Sequence, residues 1–426
     1  MMQLPNFPEH DNFQTTDHKW IGNVPSHWEL RANKYIFSLK KQAVGKRSAE
    51  YDLLSLTLRG IIKRDMENPE GKFPAEFDTY QEVGPGDFVF CHFDVEETPR
   101  TVGLSDFHGM ITGAYTVYRT RKSADPRFLL YFYLNADSNK KLRSLYTGLR
   151  NTISKDAFAS FKTPMPPLPE QRAIAAFLDD KCAKIDGAMK IKEDQIALLR
   201  ERRQIIIQDA VTRGLNPAAP MKDSGIDWIG QIPAHWENMP NKYLFRLKKD
   251  TVGKRSAEYD LLSLTLRGII KRDMENPEGK FPAEFDTYQE VCPGDFVFCH
   301  FDVEETPRTV GLSEFFGMIT GAYTVYSVAH GVDPRFLLHF YIFADTDKKM
   351  RSMYKGLRNT IPKDAFAAFK TPLPPIEEQR AIVAHIDDAS QKIEDGIAIK
   401  ERQIAALKEY KTSLINAAVT GKIKVI

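Results

Sequence analysis

Residues 163–180 read TPMPPLPEQRAIAAFLDD, and residues 371–388 read TPLPPIEEQRAIVAHIDD. Each stretch is a proline tract that runs directly into a segment with helical apolar periodicity. The two stretches lie 208 positions apart, which is about half of the 426-residue chain. Because proline cannot continue a strand ladder and disfavours helix in the residue before it, each tract predicts a stiff exit from a globular part. The same boundary between a globular part and a long helix therefore occurs twice.

The repeat extends over nearly the whole chain. WIGNVPSHWE at 20–29 aligns with WIGQIPAHWE at 228–237, and these two stretches contain all four tryptophans. Between Val44 and Tyr118 the copies differ at three positions only, namely Gly84/Cys292, Asp106/Glu314 and His108/Phe316. A repeat of this length predicts a domain with its connector in each copy, not a solenoid unit.

Length and composition restrict the class of protein. A chain of 426 residues with 42% hydrophobic and 27% charged residues is typical of a soluble protein with more than one domain. The net charge of +2 means that any basic surface must be local. There is no recognisable signal peptide or membrane-spanning run, and the four cysteines lack metal-ligand spacing. We expect a reduced, cytoplasmic protein.

Each copy predicts an α+β domain with a mixed β-sheet, followed by a long helix. DLLSLTL at 52–58, GDFVFCHF at 86–93 and GAYTVY at 113–118 predict strands, and DPRFLLYFYLNA at 125–136 predicts a helix. We place the globular domains at 1–165 and 216–373, and the helical connectors at 166–215 and 374–426.

The long helices, at about 169–211 and 377–419, each carry apolar residues at alternating steps of three and four. This spacing is typical of a coiled-coil seam. The seam positions are Leu178, Cys182, Ile185, Met189, Ile196, Leu199, Ile206 and Ala210 in the first helix, interrupted by Lys192 and Arg203, and Ile386, Ile393, Ile397, Ile404, Leu407, Leu414 and Ala418 in the second, interrupted by Lys400 and Lys411. Each helix could pack on its own domain, but the length and the charged remaining faces favour pairing between the two helices.

We find no catalytic motif in the sequence. It lacks a dinucleotide-binding glycine pattern, a P-loop, a nucleophile elbow, a metalloprotease helix and the N-P-P-Y type loop of amino-group methyltransferases. Cys91 and His92 with Asp94, repeated 208 positions later, could suggest a nucleophile, but the alternation favours a strand end with the cysteine facing the core. We expect neither catalytic nor metal-binding residues.

Basic residues recur around the predicted strands and turns as candidate DNA contacts. Arginine and lysine bind phosphates, and arginine or asparagine can read guanine or adenine in the major groove. A solvated charged face is the alternative. The candidates are Lys46, Arg47, Arg59, Lys63, Arg64, Arg150 and Asn151 in the first copy, and Lys254, Arg255, Arg267, Lys271, Arg272, Arg358 and Asn359 in the second.

The order WIGxxPxHWE, variable domain, GLRNTI, PLPPIEEQRAI and long helix, present twice, resembles the specificity subunit of type I restriction-modification systems. The resemblance covers essentially the whole chain, and MKDSGIDWIGQIPAHWE at 221–237 is among its most specific parts. It implies two target-recognition domains, each reading half of a split DNA site, and an antiparallel coiled coil that sets the spacing between the halves.

The resemblance also implies a non-catalytic subunit that binds double-stranded DNA, two methyltransferase subunits and restriction subunits. S-adenosylmethionine, ATP and Mg²⁺ are then expected on the partners, with no cofactor in this chain. A specificity subunit of a system that fuses methylation and cleavage in its partner enzyme, and an orphan DNA-binding scaffold, remain alternatives.

This sequence departs from the family pattern in that the two recognition domains are commonly unrelated, whereas here they are almost duplicated. We therefore predict an interrupted palindrome with matching half-sites. A base contact at His108/Phe316 would make the half-sites differ, but the sequence favours a peripheral core position there.

Overall fold

A computed structural model of the chain describes residues 7–65, 77–273 and 285–425. The chain divides into two compact units. The first unit comprises Met1–Lys192 together with Glu401–Ile426, and the second comprises Glu193–Lys400. Each unit therefore combines one globular part with segments of both long helices.

The first unit is built around a four-stranded antiparallel sheet. Its strands are β1 (Phe13–Thr15), β2 (Asn23–Pro25), β3 (Glu29–Ala32), β4 (Phe37–Lys40), β5 (Leu54–Thr57), β6 (Gly60–Lys63), β7 (Gln81–Val83), β8 (Asp87–Phe90), β9 (Val102–Leu104), β10 (Gly109–Ile111), β11 (Thr116–Thr120), β12 (Tyr146–Thr147), β13 (Thr152–Ile153) and β14 (Lys162–Met165). Its helices are α1 (Pro126–Asp137), α2 (Lys155–Ser160) and the start of α3 (Leu168–Arg213). The central sheet has the order β4-β11-β8-β9, and β3 pairs with β14 directly before α3.

Strand β8 shows why the sequence DFVF is continuously apolar after its aspartate. Phe88 and Phe90 contribute to the core cluster that contains α1, whereas Val89 belongs to a separate cluster with β5 and β6. Because successive side chains of a strand point to opposite faces, both faces of the sheet are covered. The strands predicted at 52–58, 86–93 and 113–118 and the helix predicted at 125–136 are all present.

The second unit repeats this arrangement. Its strands are β15 (Met221–Asp223), β16 (Gln231–Pro233), β17 (Glu237–Pro240), β18 (Phe245–Leu247), β19 (Leu262–Thr265), β20 (Gly268–Lys271), β21 (Gln289–Val291), β22 (Phe296–Phe298), β23 (Val310–Leu312), β24 (Gly317–Ile319), β25 (Thr324–Val328) and β26 (Lys370–Leu373). Its helices are α4 (Asn241–Leu244), α5 (Pro334–Asp345), α6 (Lys363–Ala368) and the start of α7 (Ile376–Val419). The central sheet has the equivalent order β18-β25-β22-β23, and the predicted α+β fold class is confirmed.

Helices α3 and α7 begin and end within two residues of their predicted bounds. Every predicted seam position on them is buried or half-buried, and Leu178 and Leu414 are fully buried. The seam therefore faces protein, as the three-and-four spacing predicts. Within the described residues, no helix combines the length and the apolarity that crossing a membrane requires.

In the first unit, the basic residues that interrupt the seam bond to the other helix. Lys411 Nζ lies 2.7 Å from Asp186 Oδ1, and Lys192 Nζ lies 2.8 Å from Gln403 Oε1. Residue numbers rise along α3 as they fall along α7, so the two helix segments run antiparallel. The predicted pairing between the two helices is therefore confirmed. The alternative, in which each helix packs only on its own domain, is wrong.

The second unit shows the same pairing. Arg203 Nη1 donates to Glu394 Oε1 at 3.0 Å, and Leu199 lies opposite Gly396. Arg203 and Glu394 occupy the positions 208 residues away from the lysine and the aspartate that pair in the first unit. The repeat therefore preserves the helix register as well as the domain fold.

Each globular part is fixed to its long helix by bonds from the repeated tryptophan motif. Trp28 is 2% exposed and donates from Nε1 to Glu170 Oε1 at 3.1 Å, while His27 Nε2 lies 2.8 Å from Glu170 Oε2. Trp236 bonds Glu378 Oε1 at the same 3.1 Å in the second unit. Trp28 and Trp236 are therefore packing anchors between the globular parts and the helices.

The glutamine that follows this glutamate holds the proline tract. Gln171 Nε2 donates to Pro166 O at 2.7 Å, and its Oε1 accepts from the backbone N–H of Asp125 at 2.7 Å. Asp125 is the N-cap of α1, so one side chain connects the starts of α1 and α3. The exit from the globular part is therefore held by hydrogen bonds as well as by the stiffness of proline.

Candidate nucleic-acid interface

The hairpin of β5 and β6 presents an arginine at its tip. The strands pair up to Thr57 and Gly60, which leaves Leu58 and Arg59 as the turn. Thr57 Oγ1 accepts from the Arg59 N–H at 3.1 Å and donates to Gly60 O at 3.0 Å. Gly60 has a φ of +98°, which suits glycine. The turn is thus locally fixed, with Arg59 exposed and Leu58 65% exposed.

The second unit builds the same tip. Thr265 Oγ1 accepts from the Arg267 N–H at 3.2 Å and donates to Gly268 O at 3.0 Å, and Leu266 is 65% exposed. Within the described part of the chain, neither Arg59 nor Arg267 forms an ion pair. An exposed guanidinium on a fixed turn has the chemistry to contact a phosphate or a base edge.

Other predicted residues of this hairpin are already engaged by the protein. Lys63 Nζ lies 2.6 Å from Asp52 Oδ2, and Lys271 repeats that ion pair at 2.6 Å. The backbone N–H of Arg64 donates to Leu53 O at 2.8 Å, and that of Arg272 donates to Leu261 O at 2.8 Å. Both arginines also make further contacts. The charge available to a ligand is therefore concentrated at the tip.

Lys46 and Arg47 lie on a short 3-10 helix beside the hairpin. Both are exposed, and the Arg47 guanidinium lies 5.8 Å from the ring centroid of Tyr51. The second unit exposes Lys254 and Arg255, and the Arg255 guanidinium lies 5.6 Å from the ring centroid of Tyr259, with its Nη2 4.0 Å from Glu290 Oε2. A guanidinium over an aromatic face is held in place without losing its charge.

The ring at position 108/316 stacks on the same tyrosine that the arginine of the 3-10 helix contacts. The His108 ring lies 5.3 Å from that of Tyr51 at an interplanar angle of 19°, and the Phe316 ring lies 5.0 Å from that of Tyr259 at 27°. Tyr51 is fixed in turn because its hydroxyl donates to Glu82 Oε2 at 3.0 Å. The His108 side chain is 60% exposed and Phe316 is 48% exposed. The interpretation of this position as peripheral core is therefore wrong.

The GLRNTI segment forms the turn between β12 and β13. Arg150 Nε donates to Asp94 Oδ1 at 3.0 Å, its guanidinium lies 5.5 Å from the Phe93 ring centroid, and Asn151 adopts a φ of +44°. The Asp94 carboxylate raises the pKa of Arg150. Leu149 at the tip is fully exposed. Arg150 thus braces the turn while its outer surface stays accessible, and the second unit repeats this with Arg358 and Asn359.

The Cys91–His92–Asp94 group is not arranged as a nucleophile. Cys91 is 2% exposed, its Sγ lies 3.2 Å from Phe93 O, and burial raises the pKa of its thiol. The His92 ring stacks on Phe90, and burial lowers its pKa to about 4. A neutral thiol beside a neutral, buried imidazole is the opposite of an activated thiolate. The predicted strand end with the cysteine facing the core is confirmed.

The molecule thus has two units that expose equivalent basic residues, and the two long helices run antiparallel within each unit. Residues 110–196 match the type I restriction modification DNA specificity domain. A protein of Methanocaldococcus jannaschii, named as the specificity subunit of type I restriction enzyme MjaX, is 23% identical to this chain over 100% of both. The predicted resemblance to the specificity subunits of type I restriction-modification systems is thereby confirmed.

Solved structures show the same fold. A chain from a study of complex assembly and conformational transition of the type I R-M system superposes with a TM-score of 0.64 at 13% identity, covering 93% of this chain and 98% of that one. The HsdS subunit from Thermoanaerobacter tengcongensis gives 0.52 at 16% identity, covering 94% and 98%. These likenesses concern the architecture of two repeated domains with long helices.

Sequence reasoning missed the two exposed leucines beside the predicted arginines. Leu58 and Leu149, with their copies in the second unit, stand at turn tips next to Arg59 and Arg150. The signal was present in the sequence, because each leucine immediately precedes the arginine within a glycine-containing turn. An apolar residue in a predicted turn deserved the same weight as the basic one.

Proposed function

We propose that this chain is the DNA-recognition subunit of a type I restriction-modification complex, and that each unit reads one half of a split double-stranded site. The observation that carries the proposal is the pair of fixed hairpin tips that expose Arg59 and Arg267 in identical settings. Each unit also exposes the basic residues of the 3-10 helix that precedes the hairpin in the sequence. This distribution places positive charge locally on a chain whose net charge is only +2.

The site we propose is an interrupted palindrome. Three positions differ between Val44–Tyr118 and the second copy. At Gly84/Cys292 the backbone N–H donates in both units to the aspartate three positions later, at 2.9 and 2.8 Å, while Cys292 Sγ additionally accepts from Lys248 Nζ at 3.5 Å. His108/Phe316 preserves the stack on tyrosine. Two units with the same contact residues in the same local geometry favour the same bases in each half-site.

The partners of the proposal are two methyltransferase subunits and the restriction subunits, in the cytoplasm. The chain itself then supplies recognition and spacing, while S-adenosylmethionine, ATP and Mg²⁺ act on those partners. The buried, neutral state of Cys91 and His92 supports a non-catalytic role for the residues that came nearest to a nucleophile pattern.

The test is to express the chain with its cognate modification subunit and to map N6-methyladenine on the methylated DNA. We expect one motif with two matching, inverted half-sites around a fixed gap. Two different half-sites at a fixed gap would retain the recognition role and reject the palindrome. Absence of any motif, with the complex shown to be assembled and active with its cofactor, would reject the recognition role itself.

A further inference from the structure

A cluster of two histidines and a glutamate lies in the first unit beside the start of α3. His10 Nε2, His27 Nε2 and a carboxylate oxygen of Glu170 all lie within 4.8 Å of one another. These residues border an open pocket of about 460 Å³ that also includes Asp11 and Lys424. The cluster is at the joint between the globular part and its helix, away from the basic hairpin tips.

His10 is buried at this joint but takes no part in the hydrogen bonds that hold it. Its side chain is 8% exposed, and among the described residues its Nε2 has no hydrogen-bond partner. The nearest carboxylate oxygen, Glu170 Oε1, is 4.0 Å away, which is beyond hydrogen-bond distance. A buried polar nitrogen without a partner destabilises the folded state, so a ligand that accepts its lone pair would remove that penalty.

The second unit provides an internal comparison. His235 Nε2 lies 2.7 Å from Glu378 Oε2, which matches the His27–Glu170 contact of 2.8 Å in the first unit. The position equivalent to His10 is Ala218. The joint therefore needs only one histidine and one glutamate, and the third ligand is an addition found in the first unit alone.

We propose that His10, His27 and Glu170 form a binding site for one divalent transition-metal ion, Zn²⁺ by the chemistry of its donors. Two imidazole nitrogens and one carboxylate are a known zinc ligand set, with solvent completing the coordination. Ligand atoms of a tetrahedral zinc site lie about 3.3 Å apart, so the observed separations require only side-chain adjustment. The ion would tie the segment that carries His10 to the first turn of α3.

The surroundings of the site fit this assignment. Glu170 Oε1 is held by the Trp28 indole, which leaves Oε2, 2.8 Å from His27 Nε2, as the oxygen positioned to bind an ion. Asp11 adds a negative charge at the pocket and Lys424 a positive one, so the two largely offset each other.

The experiment uses the purified full-length chain without its partners. Zn²⁺ is titrated by calorimetry, and Co²⁺ is used as a spectroscopic probe because four-coordinate Co²⁺ absorbs visible light far more strongly than six-coordinate Co²⁺. We compare the natural chain with His10→Ala and with His235→Ala, which removes the matched histidine of the second unit. The unfolding midpoint of each protein is measured with a chelator and with Zn²⁺.

We expect about one tight Zn²⁺ per natural chain, unchanged by His235→Ala and weakened at least tenfold by His10→Ala. Zn²⁺ should raise the unfolding midpoint of the natural chain and not that of His10→Ala, because only bound ligand stabilises the fold. A midpoint of His10→Ala in chelator that is no lower than that of the natural chain excludes misfolding of this variant as the cause. No tight binding by the natural chain, or binding that survives His10→Ala, would overturn the site.

Discussion

Trp28 Nε1 and Glu170 Oε1 form a 3.1 Å hydrogen bond between side chains that are both at least nine-tenths buried. The bond joins the WIGxxPxHWE motif to the first turn of α3, across 142 positions of sequence. Trp236 and Glu378 repeat it in the second unit. The two motifs recur together because each supplies one half of the joint between globular part and helix.

The first prediction concerns this joint. Glu378→Ala leaves the indole N–H of the fully buried Trp236 without its acceptor, which costs about 1–3 kcal/mol. We expect the urea midpoint of the transition followed by tryptophan fluorescence to fall accordingly. The measurement is an equilibrium urea titration of the full chain.

The adjacent Glu377 offers a matched control for that measurement. Glu377 lies in the same helical turn, but its side chain is 80% exposed and bonds only Arg380 among the described residues, three positions later. A surface pair of this kind contributes at most about 0.5 kcal/mol. An equal fall in the urea midpoint for Glu377→Ala and Glu378→Ala would show that the bond between Trp236 and Glu378 contributes no more to stability than a surface ion pair.

The elements with the strongest periodicity were predictable from sequence. Helices α3 and α7 lie within two residues of their predicted bounds, and each predicted seam position is buried or half-buried, because one apolar stripe on a long charged helix has to face protein. The strand at 86–93 was predictable because its apolar run needs cover on two faces. The repeat then predicted the second unit from the first.

Contacts between distant residues were not predictable. The ion pair of Arg150 with Asp94 and the cluster of His10 with Glu170 join positions that share no local pattern, so no spacing rule could find them. His108 was misassigned because an aromatic-to-histidine difference is compatible with either a core edge or a surface stack. Only the geometry distinguishes the two.

The second prediction concerns DNA binding by the assembled methyltransferase complex. Replacing Arg59 and Arg267 together by alanine removes the exposed guanidinium from both hairpin tips. We expect specific binding to weaken by about 1–3 kcal/mol per arginine if each reads a base. Where each contacts a phosphate instead, the slope of log affinity against log salt falls by about 0.9 per arginine. Both quantities come from one salt series of binding isotherms on the mapped site.

A control with the same change in net charge is available on the helices. Lys184 and Lys392 are equivalent positions, 208 apart, and each pairs at 2.7 Å with an aspartate one helical turn earlier. Replacing both by alanine should leave the affinity for the mapped site and the salt slope near those of the natural complex. A loss as large as that of the arginine pair would mean that overall charge, and not the hairpin tip, governs binding.

The third prediction concerns position 316. Phe316→His gives both units the same residue, and imidazole and phenyl stack on the underlying tyrosine at closely similar distances of 5.3 and 5.0 Å. We therefore expect the methylation motif to stay the same, with matching half-sites before and after the change. Methylome mapping of the variant complex checks this. A change at one base pair of one half-site would instead assign the position to base reading.

The fourth prediction follows from the buried imidazoles of His92 and His300, whose pKa values burial lowers to about 4. Both are neutral in the folded state, whereas in the unfolded chain they take up protons below about pH 6.5. Their contribution to the free energy of unfolding is therefore complete above about pH 6.5 and is lost as the pH falls toward 4. Because the unfolded chain binds these protons and the folded chain does not, the free energy of unfolding falls by about 2 kcal/mol per histidine between pH 7 and pH 5.

His92→Phe tests the assignment, because a phenyl ring can keep the stack on Phe90 without binding a proton. The free energy of unfolding, measured by urea titration at pH 7 and pH 5, should differ less for His92→Phe than for the natural chain, by about 2 kcal/mol. His330 is exposed, and His330→Ala should leave the difference between the two pH values unchanged. If His92→Phe shows the full acid sensitivity of the natural chain, the proton uptake on unfolding occurs at other groups, and His92 is not buried in solution as it is in the structure.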